Sequence, residues 1–403
     1  MAISSHHRKL VQHHLTRLSP QGQEAYRAVK KRTSRLQKNA GDRYIQVADA
    51  VDKLLLEGKL ESAKDAEGES LVKNLADLCG NKDIPKTYRN DTIGWTITHL
   101  TYPETSLNQV DSKGTCTATV LAYDLAQENG AEFTRLVDGL MSRQRAVTLA
   151  NGEVMKRAVS SVQGNISTGT PVSSMLQASF MDFAVPEDVY RIRKDEFEGT
   201  QDTGLAPEAL KRLYEAVENR RLETRPVSGE EMRVLLGSVD DSIPVCLRWS
   251  EREKTDESSV ETAEKEPEHS YHMVLVKAQD ENWVEFRNPW GPTKSKQLSE
   301  FGRQILDNGH ERFPRAEFYK RLNYAVIPEG WAMTADQERN WSIKAPLPTG
   351  RPIEREAPQA PEPESSLDRT LAQQEAIIAG PLPPPVESPK EKGILASILG
   401  LFA

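Results

Sequence analysis

Three residues far apart in the chain have side chains that together support acyl transfer: Cys116, His272 and Asn288. A thiolate is a strong nucleophile, an imidazole can take its proton, and a carboxamide can hold that imidazole in one tautomer. Cys116 follows Lys113-Gly114-Thr115 and opens Thr115 to Glu128, in which Ala118, Leu121, Ala122 and Leu125 recur at helical spacing before Asn129-Gly130 stops the run. The spacing therefore predicts a buried helix with the cysteine in its first turn. There, unpaired backbone N–H groups and the helix dipole favour an anion. Lowering a thiol from about 8.5 by about 2 units takes about 2.7 kcal/mol, which a helix N-terminus plus an adjacent imidazolium can supply.

His272 and Asn288 are placed by a hairpin. Two apolar and β-branched runs, His272 to Lys277 and Trp283 to Arg287, flank the polar turn Gln279-Asp280-Glu281-Asn282. Antiparallel pairing returns the outer residues, His272 and Asn288, to the same end, where they can face each other. A histidine and an asparagine at the ends of a hairpin are ordinary surface residues when alone; the cysteine at a helix start makes the set specific. His269 competes with His272, but His272 leads directly into the apolar strand.

The wording His272-Met273-Val274, then an aromatic, then Asn288-Pro289-Trp290-Gly291, resembles the histidine and asparagine segments of papain-like and calpain-like cysteine proteases, the second segment being closest to calpains. The resemblance implies an α+β papain-like fold: a helical half with the cysteine at a helix N-terminus and an antiparallel sheet half with His and Asn; residue spacing and composition add a helical N-terminal region and a disordered C-terminal tail. It implies Cys116 as nucleophile, His272 as general base and later acid, Asn288 as its orienting partner and Trp290 as a shield over their hydrogen bond. An oxyanion donor is expected six residues before the cysteine, where this chain has Val110; Gln109 lies seven before it, and Asn108 is the alternative. The implied activity is cysteine endopeptidase action on protein or peptide substrates. Papain-fold acyl transfer, transamidation or deamidation through the same thioester is the alternative, and a non-catalytic interaction protein that keeps the fold is another. No cofactor is expected, and calcium, used by calpains, finds no ligand cluster in the sequence.

Composition bounds the rest. The 403 residues leave room for two or three domains at roughly 100 to 200 residues each. A formal net charge of -8 argues against nucleic acid as partner. Cys79, Cys116 and Cys246 show neither zinc nor disulfide spacing, so a reducing compartment is expected. With no apolar signal core and no run near the roughly 20 residues of a membrane span, the expected location is the cytoplasm, or outside it by a route without an N-terminal signal.

Residues 1–85 read as a helical, basic region: Leu10, Leu15, Leu18, then Val47, Val51, Leu54 and Leu55, then Leu71, Leu75 and Leu78. Ten Lys or Arg against two acids lie between Arg8 and Arg43, with His6-His7 and His13-His14. A solvated basic face explains these pairs better than a metal site, since no carboxylate or cysteine accompanies them. The region reads as a pro-segment, a partner-binding arm or part of the fold. The peptidase domain is expected over 86–330. Within it Asp91 to Leu100 reads as a strand, Asn151-Gly152 as a hairpin turn, Glu132 to Ser142, Ser173 to Phe183 and Pro207 to Asn219 as helices, and Ile243 to Trp249 and Asn323 to Pro328 as strands. Gly164 to Thr170 reads as a cleft-bordering loop. An insert, 251–268, has eight acids and three bases and is expected to be mobile. A Pro-rich linker, 331–390, leads to a short apolar tail, 391–403, whose helical projection suggests docking on a helper protein, a membrane surface or the chain's own cleft.

Overall fold

The computed structural model describes residues 5–39, 47–109, 113–158, 161–162, 169–197, 204–238, 242–251, 269–291, 302–306 and 309–334. Val110, residues 252–268 of the acidic insert, most of the Gly164 to Thr170 loop, residues 335–390 of the Pro-rich linker and the 391–403 tail lie outside them. The described residues form one compact unit of mixed helix and sheet.

The N-terminal region is helical: α1 (Ser5–Leu15), α2 (Pro20–Asn39), α3 (Val47–Leu56) and α4 (Leu71–Gly80). It packs on the rest of the chain. Leu15, Val29, Leu36, Leu54 and Leu75 share one buried cluster with residues of the cysteine-bearing helix and the sheet. Its polar side is also tied down, since Lys30 pairs with the buried Asp52 at 2.7 Å.

The stretch Asp91 to Leu100, expected as a strand, lies within a helix, α5 (Lys86–Thr101). The threonines and isoleucines that suggested extended chain are accommodated because each Thr hydroxyl donates one turn back: Thr92 to Tyr88 O, Thr96 to Thr92 O, Thr98 to Gly94 O and Thr101 to Ile97 O, at 2.6–2.9 Å. This satisfies the hydroxyls inside the core. Ile93, Ile97 and Leu100 are fully buried, so tertiary burial overrides propensity.

After the short helix α6 (Pro103–Ser106) comes α7 (Cys116–Glu128), whose residues 117–126 are all buried. It packs against α8 (Gly130–Met141), capped by Asn129 accepting from Glu132 N, and α9 (Pro171–Ala184), capped by Thr170 accepting from Ser173 N. The Asn151-Gly152 turn joins β1 (Ala146–Thr148) and β2 (Val154–Lys156), with Gly152 at φ +88°. A small hairpin, β3 (Tyr190–Arg191) and β4 (Glu196–Phe197), precedes α10 (Pro207–Glu218), which Asn219 closes in the left-handed conformation.

The remainder is a seven-stranded antiparallel sheet with β5 (Leu222–Arg225), α11 (Gly229–Ser238), β6 (Ile243–Glu251), β7 (His269–Gln279), β8 (Trp283–Arg287), β9 (Gln304–Ile305), β10 (His310–Pro314), α12 (Arg315–Arg321) and β11 (Leu322–Pro328). Strand order is β5-β11-β6-β7-β8-β10-β9. Alternation along β7 divides the core in two. Met273 and Leu275 join Cys246 and Tyr324 against the helices, while Val274 and Val276 join Phe286, Phe313 and Phe318 on the other face. α7 lies against β7, and Cys116, the first residue of α7, has its thiol at the Met273 N–H of β7, one residue beyond His272. Truncating Leu121 of α7, which has no exposed surface, would cost about 2–5 kcal/mol and loosen this seam. Among the described residues, no helix is long and apolar enough to cross a membrane.

Candidate active site

Cys116 is the first residue of α7. Thr115 precedes it as N-cap but makes no cap bond, because its hydroxyl is donated to Gln177 Oε1 at 2.7 Å inside the core. The first-turn N–H groups therefore remain available to the thiol. Those of Cys116 and Thr117, together with the N–H of Met273 on β7, draw the thiol toward the anion. Burial outweighs them and pushes the Cys116 thiol above its ordinary range. The lowered thiol expected from the helix start is thus corrected: the dipole acts in the expected direction, but the side chain is too poorly hydrated for it to prevail. The other thiols are also displaced upward by burial, Cys79 to about 12 and Cys246 to about 11. Cys246 sits opposite Met273 in the sheet.

His272 and Asn288 meet across the hairpin, but not as directly opposed residues: the register pairs Leu275 with Arg287, so the two are offset and reach each other diagonally. Imidazole Nε2 lies 2.9 Å from Asn288 Oδ1, both residues being buried. Two further contacts orient the carboxamide. Its Oδ1 accepts the Trp290 backbone N–H at 3.0 Å, and its Nδ2 donates to Glu311 Oε1 at 3.0 Å. Since Oδ1 can only accept, the hydrogen of the His272 pair belongs to Nε2, and Nδ1 keeps its lone pair. Burial holds His272 down to about 4; the Asn288 bond acts in the opposite direction, and the positive charge of Arg303 adds to the depression. The resting pair is therefore thiol and neutral imidazole.

Trp290 packs on the imidazole with ring centroids 4.2 Å apart, and Trp249 meets it edge-on at 4.8 Å. Both rings thus wall the imidazole, one across its face and one at its edge. Behind Asn288, Glu311 has no exposed surface and pairs with Arg303 at 2.9 Å. The Arg303 guanidinium lies over the Trp249 ring, 5.5 Å from its centroid. Sequence reasoning missed Glu311, Arg303 and Trp249. Only Glu311 left a signal: in β10 it falls in phase with the buried Phe313, an acid at a core position.

The loop before α7 is knitted to the loop after β8. Gln109 N donates to Pro289 O at 2.6 Å, and its side-chain Nε2 donates to Lys113 O, leaving Oε1 buried without a partner. Asn108 accepts Arg287 Nη2 at 2.7 Å and donates to Thr105 O at 3.1 Å. Both candidate oxyanion donors are thus in this seam, already engaged with backbone carbonyls. Gly114 N is held by both oxygens of Asp195 at 2.8–2.9 Å, anchoring the approach to Cys116 from the far side. His269 opens β7 opposite Glu251.

A cavity of about 430 Å³ lies elsewhere, at the other end of α7. Asp124, Glu128, Glu132 and Glu218 line it, and none of Cys116, His272 or Asn288 does. Among the described residues, no group of three or more His, Cys, Asp or Glu could hold a metal ion. No protein-family model matches the chain, and no curated protein matches it in sequence.

Proposed function

We propose that the chain is a papain-like thiol peptidase in which Cys116 is the nucleophile, His272 the general base and acid, and Asn288 the residue that orients His272. The observation that carries the reading is the 2.9 Å bond between His272 Nε2 and Asn288 Oδ1, with Trp290 packed on the imidazole, beside a cysteine that begins a helix. A core histidine needs no such tautomer-fixing partner on a strand that also presents a backbone N–H to a thiol.

Because thiol and imidazole rest neutral, nucleophile and base act together. As a peptide carbonyl approaches, the Cys116 proton passes to His272 Nδ1 while Sγ bonds the carbonyl carbon. The C–O electrons move onto oxygen, and the uncapped N–H groups of Cys116 and Thr117 supply donors for that charge. The imidazolium then protonates the amine as the C–N bond breaks, leaving a thioester. Water, deprotonated by His272, cleaves the thioester and restores the thiol. Gln109 enters as an oxyanion donor through the second Nε2 hydrogen, since one is directed at Lys113 O.

The test is turnover of a mixed peptide library, read by mass spectrometry, for wild type and Cys116→Ala. Cleavage that disappears in the variant supports the reading. Cleavage that persists in it, or is absent from both proteins, overturns it. Deamidated or cross-linked products without backbone cleavage, again Cys116-dependent, would move the assignment to the transferase branch of the same chemistry.

A further inference from the structure

We propose that Glu311, with its counter-ion Arg303, is a positioning pair that sets the orientation of the Asn288 carboxamide and, through it, the tautomer of His272. The activity part of this inference rests on the thiol peptidase reading; the tautomer part does not.

A carboxamide is nearly symmetric in shape, and its two ends differ only in which one donates. In a buried site, its orientation is decided by neighbours that cannot exchange roles. Trp290 N–H can only donate, and it points at Oδ1 at 3.0 Å. An ionised carboxylate can only accept, and Glu311 Oε1 receives Nδ2 at 3.0 Å. Turning the amide over would set an N–H against an N–H on one side and oxygen against oxygen on the other. Oδ1 is thereby presented to His272, and Nε2 must carry the imidazole hydrogen. Nδ1 is left as the base.

The argument needs Glu311 ionised although it has no exposed surface. Arg303 meets that need: its Nη1 is 2.9 Å from Oε2, the oxygen not used by Asn288, and its guanidinium is almost as buried. One carboxylate oxygen thus faces the cation and the other faces the amide. Arg303 in turn lies over Trp249, whose edge meets His272, so the pair also closes the aromatic wall around the imidazole.

The chemistry suggests a charge-transposition test. Glu311→Gln keeps the shape but offers Asn288 an amide in place of a carboxylate. The expected result is mixed His272 tautomers and a fall in kcat of about 100-fold or more, toward the about 10⁴-fold of losing a tautomer-fixing partner in a triad, with KM little changed. Combining Glu311→Gln with Asn288→Asp moves the carboxylate one position along the chain of bonds. The aspartate side chain then accepts from His272, Trp290 and the new glutamine, whose oxygen faces Arg303, and kcat should recover to within about 10-fold of wild type. A pair that only stabilised the fold would not produce that recovery. Should Glu311→Gln fail to fold, Glu311→Leu with Arg303→Met replaces the ion pair by apolar side chains of similar size, a change that cores commonly tolerate. It should fold and still lose kcat.

The independent readout is ¹⁵N NMR of the His272 imidazole in a Cys116→Ala background, where turnover plays no part. Wild type should show the hydrogen on Nε2, Glu311→Gln a mixture, and the double change the Nε2 form again. An unchanged tautomer in Glu311→Gln, or a folded Glu311→Leu/Arg303→Met protein with wild-type kcat, overturns the inference. Absence of any Cys116-dependent turnover in wild type overturns the peptidase reading instead, and the NMR result still decides the role of Glu311.

Discussion

Moving the protein from about pH 7.5 to about pH 5 should weaken it sharply, and two imidazoles carry most of that effect. His272 is held down to about 4 by burial, against the Asn288 bond and together with the charge of Arg303. His99 on α5 is held to about 3 by burial alone. Its Nδ1 lies 2.9 Å from the Ser106 hydroxyl, which itself donates to Tyr102 O, and its Nε2 lies 2.8 Å from the Thr170 hydroxyl. Both nitrogens of the neutral ring are therefore satisfied. In the unfolded chain each imidazole titrates near 6.5. A group whose folded pKa lies below its unfolded value supports the fold fully above the unfolded pKa. That support is lost as pH falls, because only the unfolded chain takes the proton. Between about pH 7.5 and pH 5 the loss is about 2 kcal/mol per imidazole, about 4 kcal/mol together, against a usual total of about 5–15 kcal/mol. At an m-value of about 3 kcal/mol/M, the urea midpoint should fall by more than roughly 1 M. Half-buried acids whose pKa is raised by desolvation, Asp49, Asp138 and Asp182, act in the opposite direction as they approach protonation. The decisive measurement is therefore differential: in His99→Gln and in His272→Gln, the drop between the two pH values should be smaller than in wild type by about 2 kcal/mol each. Equal drops in all three proteins would refute the assignment of neutral buried imidazoles.

Three further outcomes follow from the same geometry. His272→Ala should be as inactive as Cys116→Ala while His269→Ala keeps most turnover; the reverse result in a peptide assay would exchange the two histidines. Alkylation of Cys116 by iodoacetamide should be slow near pH 6 and rise with pH beyond the ordinary cysteine value of about 8.5, since burial pushes the thiol up; an inflection well below 7 would mean that thiolate and imidazolium are already formed. Arg287→Met should lower stability by about 3 kcal/mol or more, read by thermal unfolding, because the carbonyls of Glu104, Leu107 and Asn288 would lose a buried donor; an unchanged Tm would show that these groups find other partners.

The local parts of this architecture were legible because local patterns encode them. Helical spacing with a stop at Asn129-Gly130 places α7 to within one residue, and a polar turn between apolar runs places β7 and β8, though β7 starts three residues before His272, and brings His272 to Asn288. The Asp91 to Leu100 stretch failed because β-branched residues carry the same signal in a strand and in a fully buried helix, and nothing local tells that threonine hydroxyls will bond one turn back. The thiol failed for a related reason. A helix start is visible in sequence, whereas the desolvation that opposes it depends on β7, more than 150 residues later. Glu311 and Arg303 act through contacts with residues distant in sequence, and no spacing rule reaches across such separations.

What fixes the distance between the cysteine helix and the asparagine loop is polar, and this bears on how the site keeps its shape. Apolar faces such as those of α7 and β7 can slide by fractions of an ångström at little cost, since dispersion and burial are nearly non-directional. Hydrogen bonds in a dry interior cannot, because a donor left unmet there is expensive. Arg287 stands at that junction: fully buried, held down to about 10 by burial yet still a cation at neutral pH, it donates to carbonyls of the loop before α7 and to Asn288 O. Gly291 completes the seam. Its φ of +78° and the Asn108 amide, 2.4 Å from where a Cβ would stand, leave room for glycine alone. Asn108 can therefore accept from Arg287 only because residue 291 has no side chain. The Asn-Pro-Trp-Gly turn thus acts through its glycine as well as its asparagine, locking the Cys116 approach loop against the residue that orients His272.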